Sequence, residues 1–411
     1  MDPAMDAVTY GLYLHVPFCA RRCAYCDFFS TEEKLRLLPS YVRALSREAE
    51  QVGAAGRSPV VGSVYFGGGT PSLLGPDQVG TLLGKIRSAF TVETDAEITL
   101  EANPGTLDGG RLRGFREAGV NRLSLGVQSM VDDELRLLGR IHTSDMAERT
   151  FREARRSGWE TISLDLIFGL PGQTVDVWVR TLAQAMDLAP EHLSLYSLTL
   201  ERGTELARAV RRGALPAPEE DASAEMYERA EEMLAGAGYR HYEISNWARD
   251  DADNASAGRG NLSAGKYPKY SCRHNLRYWL NLPYLGFGAG AHGCAGGKRY
   301  ATIRSVEKYI ARLRNGWSRR FPLTTAVSRS VVRTRDDEMR ETMWLGLRLT
   351  ETGVDRGGFR RRFDEDYYDR FRVEIESAIA EGLLEQTPPE NSLRLTPRGR
   401  LLGNRVFRLF V

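Results

Sequence analysis

Residues 11–30 read GLYLHVPFCARRCAYCDFFS, and the fold turns on how this stretch is understood. It holds three of the chain's five cysteines, Cys19, Cys23 and Cys26, within eight positions. LYLHV has the short apolar character of a strand, so the cysteines lie on the loop that leaves its C-terminal end. Three thiols are one short of a closed four-ligand metal site. One reading adds His15 to make a Cys3His zinc site. Against it, His15 lies within the strand, four residues before the first cysteine, an awkward place for a ligand. The other reading places the three thiolates on a [4Fe-4S] cube, whose fourth iron stays open. The spacing C-x3-C-x2-C directly after a first strand favours the cube.

Working outward, strand-like and helix-like runs alternate. LYLHV, VGSVYF, EITLEA, RLSLGV, TISLDLIF and HLSLYSL are each followed by an amphipathic run with 3.6-residue spacing. Six β-then-α units imply a parallel sheet. Polar or glycine positions recur towards the strand ends: the cysteine loop, GGGTP over Gly67–Pro71, Glu101 and Gln128, with Asp165 inside the fifth strand. Sites of (β/α) barrels are built on that rim. The expected fold is α/β, a partial (β/α)6 barrel over residues 1–248. Residues 249–329 are expected to supply a flexible loop, the segment CRHNLRYW and a connection closing the core. Residues 330–411, with three helices and a hairpin, suggest a winged-helix-like α+β domain.

Composition narrows the function classes. The 411 residues are 42% hydrophobic and 27% charged, with a formal net charge of +2, ordinary values for a water-soluble globular chain. From Arg304 to Val411 there are 22 Lys/Arg against 16 Asp/Glu. They are interleaved, as in RRFDEDYYDR, and read as solvated helix faces, so no nucleic-acid partner is expected. No apolar run reaches the length of a membrane span, and the N-terminus lacks the basic start and apolar core of a signal peptide. A cytoplasmic location is expected, where clustered thiols act as metal ligands or catalysts before they form disulfides.

The C-x3-C-x2-C loop followed by GGGTP resembles the radical S-adenosylmethionine (SAM) superfamily. That resemblance implies that the amino and carboxylate groups of SAM chelate the open iron, and that GGGTP contacts the methionyl end. LYLHVPFC, CAYCDF, YFGGGTPSLL, LEANPGT, GVQSM, LGRIH, DLIFGLPGQT and LTPRGRLLGNRVF resemble, in order along nearly the whole chain, the oxygen-independent coproporphyrinogen III oxidase family. Carried over by position, the resemblance makes Tyr13, Gly68 and Glu101 contacts of SAM beside the cluster. It adds Tyr25, Gly69, Thr70, Gln128, Arg140 and Asp165 as further SAM-contacting positions.

Two differences separate the chain from the oxidase. The oxidase motif continues to another cysteine two residues after the third, where Phe28 stands here, and only eighteen residues precede Cys19. The chain is more similar to a sister branch, the HemW-type haem chaperones. In CRHNLRYW, the run His274, Asn275, Tyr278, Trp279 fits that branch, and the resemblance implies His274 as a haem ligand, since neutral imidazole ligates haem iron well. Cys272 and Cys294 are read as buried hydrophobes, and His292 as structural or lining the cavity floor. The expected function is a haem chaperone with a SAM-liganded [4Fe-4S] cluster, delivering haem to acceptor proteins, any membrane contact arising only through an acceptor. Two alternatives stand beside it. One is a radical SAM enzyme, an oxidase or methyltransferase, acting on a porphyrin or related substrate. The other is a zinc protein using its C-terminal domain as a binding module.

Overall fold

The structure, a computed structural model, describes residues 9–250, 266–318, 320–387 and 392–411. In chain order, the first strands and helices are β1 (Thr9–Val16), α1 (Leu38–Ala55), β2 (Val60–Gly68), α2 (Pro76–Ala89), β3 (Thr91–Ala102), α3 (Gly109–Ala118) and β4 (Arg122–Gln128). Then come α4 (Asp132–Leu137), α5 (Ser144–Arg156), β5 (Ile162–Phe168), α6 (Val175–Asp187), β6 (His192–Ser197), α7 (Glu205–Arg211) and α8 (Glu220–Gly236). All six expected strands form, and β1 to β6 pair in sequence order, each parallel to the next. This is the partial barrel of the expected α/β class.

Helix ends carry ordinary stop and start chemistry. Asp108, Thr143, Thr174 and Thr204 cap α3, α5, α6 and α7 by accepting a hydrogen bond from a backbone N–H of the first turn. Gly119, with φ +105°, ends α3 in the left-handed conformation that glycine adopts without steric cost.

The strands are two-faced. Leu12, Leu14, Val64, Phe66, Leu100, Leu123, Leu125, Leu164, Leu166, Leu193 and Leu195 are almost fully buried. The alternate positions are polar and also buried: Ser63, Thr99, Arg122, Ser124, Ser163, His192 and Ser194. Register aligns them in rows. Glu101 lies beside Ser124, Ser124 beside Ser163, and Ser163 beside His192. One row further along, Gly126 lies beside Asp165 and Asp165 beside Ser194.

After α8 come β7 (Tyr239–Glu243), β8 (Asn246–Arg249), α9 (Arg273–Trp279), β9 (Tyr284–Phe287), β10 (His292–Ala295), β11 (Lys298–Thr302), α10 (Val306–Asn315) and β12 (Val327–Val332). Strand β9 adds to β1 in parallel, and β10 and β11 follow antiparallel. The sheet of the first unit thus runs β12-β11-β10-β9-β1-β2-β3-β4-β5-β6. The carboxylate of Glu48 on α1, buried, accepts from the Gly288 N–H (2.9 Å), Tyr309 hydroxyl (2.5 Å) and Thr324 hydroxyl (2.8 Å), tying these later segments to the first helix.

Contacts divide the chain into residues 1–232 with 283–331, and residues 233–282 with 332–411. This grouping is not the three consecutive spans expected from the sequence. The reason is local pairing. The backbone N–H of Ile244, in the β7–β8 turn, donates to Arg348 O, and Thr350 N–H donates to Tyr242 O, so the hairpin belongs with the C-terminal segment. That segment holds α11 (Arg335–Gly346), α12 (Arg356–Phe363), α13 (Tyr367–Arg370), α14 (Arg372–Ala380), the hairpin β13 (Leu384–Thr387) and β14 (Ser392–Leu395), α15 (Pro397–Leu401) and α16 (Gly403–Phe407). Its core gathers Met343, Leu347, Phe363, Phe371, Leu393 and Val406. The stretch PRGRLLGNRVF forms two short helices, broken at Leu402. Of the flexible loop expected before CRHNLRYW, residues 251–265 lie outside the described residues. Among the described residues, no helix is long and apolar enough to cross a membrane.

Candidate functional site

The cysteine loop is anchored at both ends. Cys19 N–H donates to Thr31 O (3.0 Å) and Thr31 N–H to Pro17 O (2.7 Å), while Ala24 N–H donates to Leu138 O (3.0 Å). The end of β2 runs alongside: Gly69 N–H donates to Val16 O and Thr70 N–H to Phe18 O. Each glycine of GGGTP has its own steric reason. A Cβ on Gly67 would stand 2.9 Å from the Tyr13 ring and 3.2 Å from Glu101 Oε1. Gly68 has φ +117°, and a Cβ there would meet the His15 ring at 2.6 Å. On Gly69 it would stand 2.7 Å from Phe18 O and 3.0 Å from Cys19 Sγ.

All five cysteines are free thiols. Burial pushes the Cys19 and Cys26 thiols up from their ordinary range. A coordinated metal reverses this, because a ligating thiol is deprotonated outright. Donors suited to thiolates are in place. Thr70 Oγ1 lies 3.7 Å from Cys19 Sγ, and Arg140 Nη1 donates to Cys23 Sγ at 3.3 Å. Arg140 Nη2 also reaches Gly126 O (2.6 Å), and its Nε is buried without a protein partner. The Tyr25 hydroxyl, pushed up by burial, belongs to the same group through Cys23 and Arg140. Three thiols with hydroxyl and guanidinium donors behind them, and glycines packed against one sulfur, fit a thiolate-held iron–sulfur cluster. Among the described residues, no three His, Cys, Asp or Glu side chains are gathered around a single-ion site.

His15 is not available to complete a zinc site. Tyr13 Oη lies 3.1 Å from its Nδ1, and its Nε2 lies 2.9 Å from Phe29 O, so both ring nitrogens are engaged. Burial lowers its pKa to about 4, so the ring is neutral, with Nε2–H donating to Phe29 O and Nδ1 accepting from Tyr13. His15 therefore ties the cysteine loop to β1 instead of ligating a metal. The Cys3His alternative loses its fourth ligand.

The remaining positions of the first unit converge on the polar strand face. Glu101 accepts from the Tyr65 hydroxyl (2.8 Å) and from Gly68 N–H (3.1 Å). Burial raises its pKa to about 7, the Tyr65 and Gly68 hydrogen bonds and Arg122 opposing and Asp165 adding to the rise. Asp165 accepts from Ser124 (2.9 and 3.2 Å) and Ser163 (3.3 Å), with burial again pushing its carboxyl up. Gln128 ends β4 at φ +71°, a conformation that is costly for a residue with a Cβ and is found at ligand clamps. Tyr13, Tyr25, Gly68, Gly69, Thr70, Glu101, Gln128, Arg140 and Asp165 all belong to this unit, with Cys19, Cys23 and Cys26.

His274 lies in the other unit, on α9. It is fully buried, and its Nε2 stands 2.9 Å from the Tyr278 hydroxyl one turn on. Burial and the neighbouring Arg277 lower its pKa to about 3, so the ring is neutral. Cys272 and Cys294 are buried, as expected of hydrophobic thiols, and His292 is exposed at the start of β10. Tyr65, Ser124 and Ser163, which hold the two carboxylates, were not among the expected site residues. Their signal is the alternation of polar with apolar positions in VYF, RLSLG and ISLDL.

Comparison with known proteins places the chain in a family. The radical SAM superfamily pattern matches residues 13–185, and the HemN C-terminal domain matches residues 334–402. Coproporphyrinogen III oxidase (HemN) from Escherichia coli, a radical SAM enzyme, shares the fold: TM-score 0.80, 24% identity, covering 99% of this chain and 91% of that one. Heme chaperone HemW of Bacillus subtilis is 35% identical over 97% of this chain and 98% of its own length. The HemW of Mycobacterium tuberculosis is 36% identical over 98% and 95%. A mouse mitochondrial protein, radical S-adenosyl methionine domain-containing protein 1, is 38% identical over 93% and 83%. With identity at that level along nearly the full length of both bacterial relatives, the chain belongs to the HemW family of radical SAM proteins.

Proposed function

We propose that the chain is a haem chaperone, which binds haem, holds a [4Fe-4S] cluster with exchangeable SAM and passes haem to acceptor proteins. The observation that carries this reading is the near-full-length identity to two proteins named as haem chaperones. A cluster would be held by Cys19, Cys23 and Cys26, and it would supply an iron open to the amino and carboxylate groups of SAM. Tyr13, Gly68, Gly69, Thr70 and Glu101 flank that position, with Tyr25, Gln128, Arg140 and Asp165 completing the pocket for SAM. Phe28, 68% exposed, stands where the oxidase motif has its additional cysteine, which leaves the three-thiol set without a competing ligand.

His274 is the proposed haem ligand. Its neutral ring is the ligating form, and ligation through Nε2 requires the ring to give up the Tyr278 hydroxyl. The test is anaerobic reconstitution with iron and sulfide, then haem titration of the wild type and His274→Ala followed by visible spectroscopy. The expected result is a cluster spectrum in both proteins, and haem affinity at least roughly tenfold weaker in the variant, about 1.4 kcal/mol. A reconstituted protein that binds no haem sinks the chaperone reading. Conversion of coproporphyrinogen in step with SAM cleavage would replace it with the enzyme. Undiminished haem binding in His274→Ala would move the ligand elsewhere.

A further inference from the structure

Arg122 opens β4 and is only 3% exposed. Its register partner on β3 is Thr99, two positions before Glu101. The next residue on its own strand face is Ser124, which donates to Asp165 and lies beside Glu101 in register. A guanidinium is rarely buried unless acids compensate it, and burial without them is expensive. Both carboxylates feel this charge. Arg122 works against the burial that pushes Glu101 and Asp165 up, and it adds to the burial that holds His192 far below its ordinary range.

Hydrogen bonds from Tyr65, Gly68, Ser194 and Ser124 oppose the burial as well, and more strongly, but Arg122 is the cation that acts on both carboxylates. Tyr13 on β1 is a neutral phenol, Tyr65 on β2 a hydroxyl donor, His192 on β6 a neutral ring and Glu97 on β3 a further acid. The Arg140 guanidinium, which reaches Gly126 O beside Asp165, is engaged with Cys23. The hydroxyls of Tyr65 and Ser124 orient the carboxylate oxygens without carrying charge. The charge of Asp165 adds to the rise at Glu101, so two ionised carboxylates on one buried strand face disfavour each other unless a cation is near.

We infer that Arg122 is a positioning residue for the SAM site, its buried guanidinium being the counter-charge that lets Glu101 and Asp165 both present ionised oxygens to the ligand. The inference rests on the assignment of those two acids as SAM contacts. SAM carries a sulfonium, N–H donors on its amino group and ribose hydroxyls, all of which an ionised carboxylate favours and a protonated one does not. Protonation therefore competes with the ligand. Affinity is full at high pH and falls as pH drops through the carboxyl's own range, and removing Arg122 moves that fall to higher pH.

The experiment measures the SAM dissociation constant by calorimetry between pH 6 and 9 on the reconstituted protein, with cluster content read by iron analysis and electron paramagnetic resonance. Arg122→Met should keep the cluster, bind SAM about tenfold more weakly at pH 7, and recover at a pH about one unit above the wild type. Arg122→Lys, which keeps the charge, should stay close to the wild-type profile. An unchanged profile in Arg122→Met overturns the inference. So does an equal loss in the Met and Lys variants at every pH, which is the mark of a shape role. Where Arg122→Met fails to fold, the double variant Arg122→Met/Asp165→Asn removes charge and counter-charge together. Recovered cluster loading then supports the inference, and continued failure overturns it. Glu101→Gln separates the two premises: wild-type affinity there fails the assignment of the acid as a SAM contact, not the counter-charge.

Discussion

Gly69 sits where β2 passes the cysteine loop, and a methyl group there has nowhere to go. Its near neighbours are a backbone carbonyl and the Cys19 sulfur, neither of which swings aside as a long flexible side chain would. Gly69→Ala should shift the loop, with strain of about 1–3 kcal/mol, as overpacking costs. The expected outcome is reduced iron and sulfide per chain after reconstitution and a weaker visible spectrum, with the far-ultraviolet signature of the fold retained. Gly84 is the matched contrast. It lies on the exposed side of α2, and a methyl group there would have nothing within 4 Å. Gly84→Ala should raise stability by about 0.5–1 kcal/mol through helix propensity alone and leave cluster loading untouched. A Gly69→Ala protein that loads a full cluster would show that the loop yields more easily than its anchoring hydrogen bonds indicate.

Elements differ in how far their sequence announces them. The six parallel strands were legible because each is an apolar run followed by an amphipathic helix, and the cysteine loop and glycines because they are contiguous. The polar face was less legible: in RLSLG and ISLDL the small serines look like tolerated interruptions of an apolar run until register places them beside one another. Strands β9, β10 and β11 are only four or five residues long, and they exist because the free edge of β1 pairs with β9, a long-range event that no local pattern encodes. In the C-terminal segment the turn between α12 and α13 is fixed by one buried acid. Asp366 caps α13 through Tyr368 N–H and receives Arg356 at 2.7 Å, with Arg360 also bonded to it. Burial pushes its carboxyl up, but the hydrogen bonds from Arg356, Tyr368 and Arg360 outweigh burial and hold it below its ordinary value. A depressed carboxyl contributes stability that is present above its unfolded value and is lost as pH falls through the folded one. Asp366→Asn should therefore cost about 2 kcal/mol at pH 7 and progressively less below about pH 4, measured by urea unfolding at each pH. A cost that does not shrink in acid would assign the loss to packing instead of charge.

At the scale of the whole chain, the contiguous spans expected from sequence failed to anticipate that residues 233–282 group with 332–411, because a chain that leaves one unit and returns to it gives no compositional break. The grouping separates the two proposed ligands. Cys19, Cys23, Cys26 and the SAM positions belong to residues 1–232 with 283–331, and His274 belongs to the other unit. A ligand stabilises what it binds by mass action, about 2.7 kcal/mol at a hundred times its dissociation constant. Hydrogen exchange read by mass spectrometry on the reconstituted protein can apportion that gain. SAM at that excess should slow exchange roughly a hundredfold where opening of the first unit exposes the amides, most plainly in β2, β3 and β5, which carry Gly68, Glu101 and Asp165. Haem should instead slow exchange in α9, around His274. The two patterns are independent signatures, and each can fail alone. Protection by haem confined to the first unit would remove His274 from the haem site while leaving the cluster and SAM assignments standing. Protection by SAM that is absent from β3 and β5 would do the reverse, and would take the role inferred for Arg122 with it.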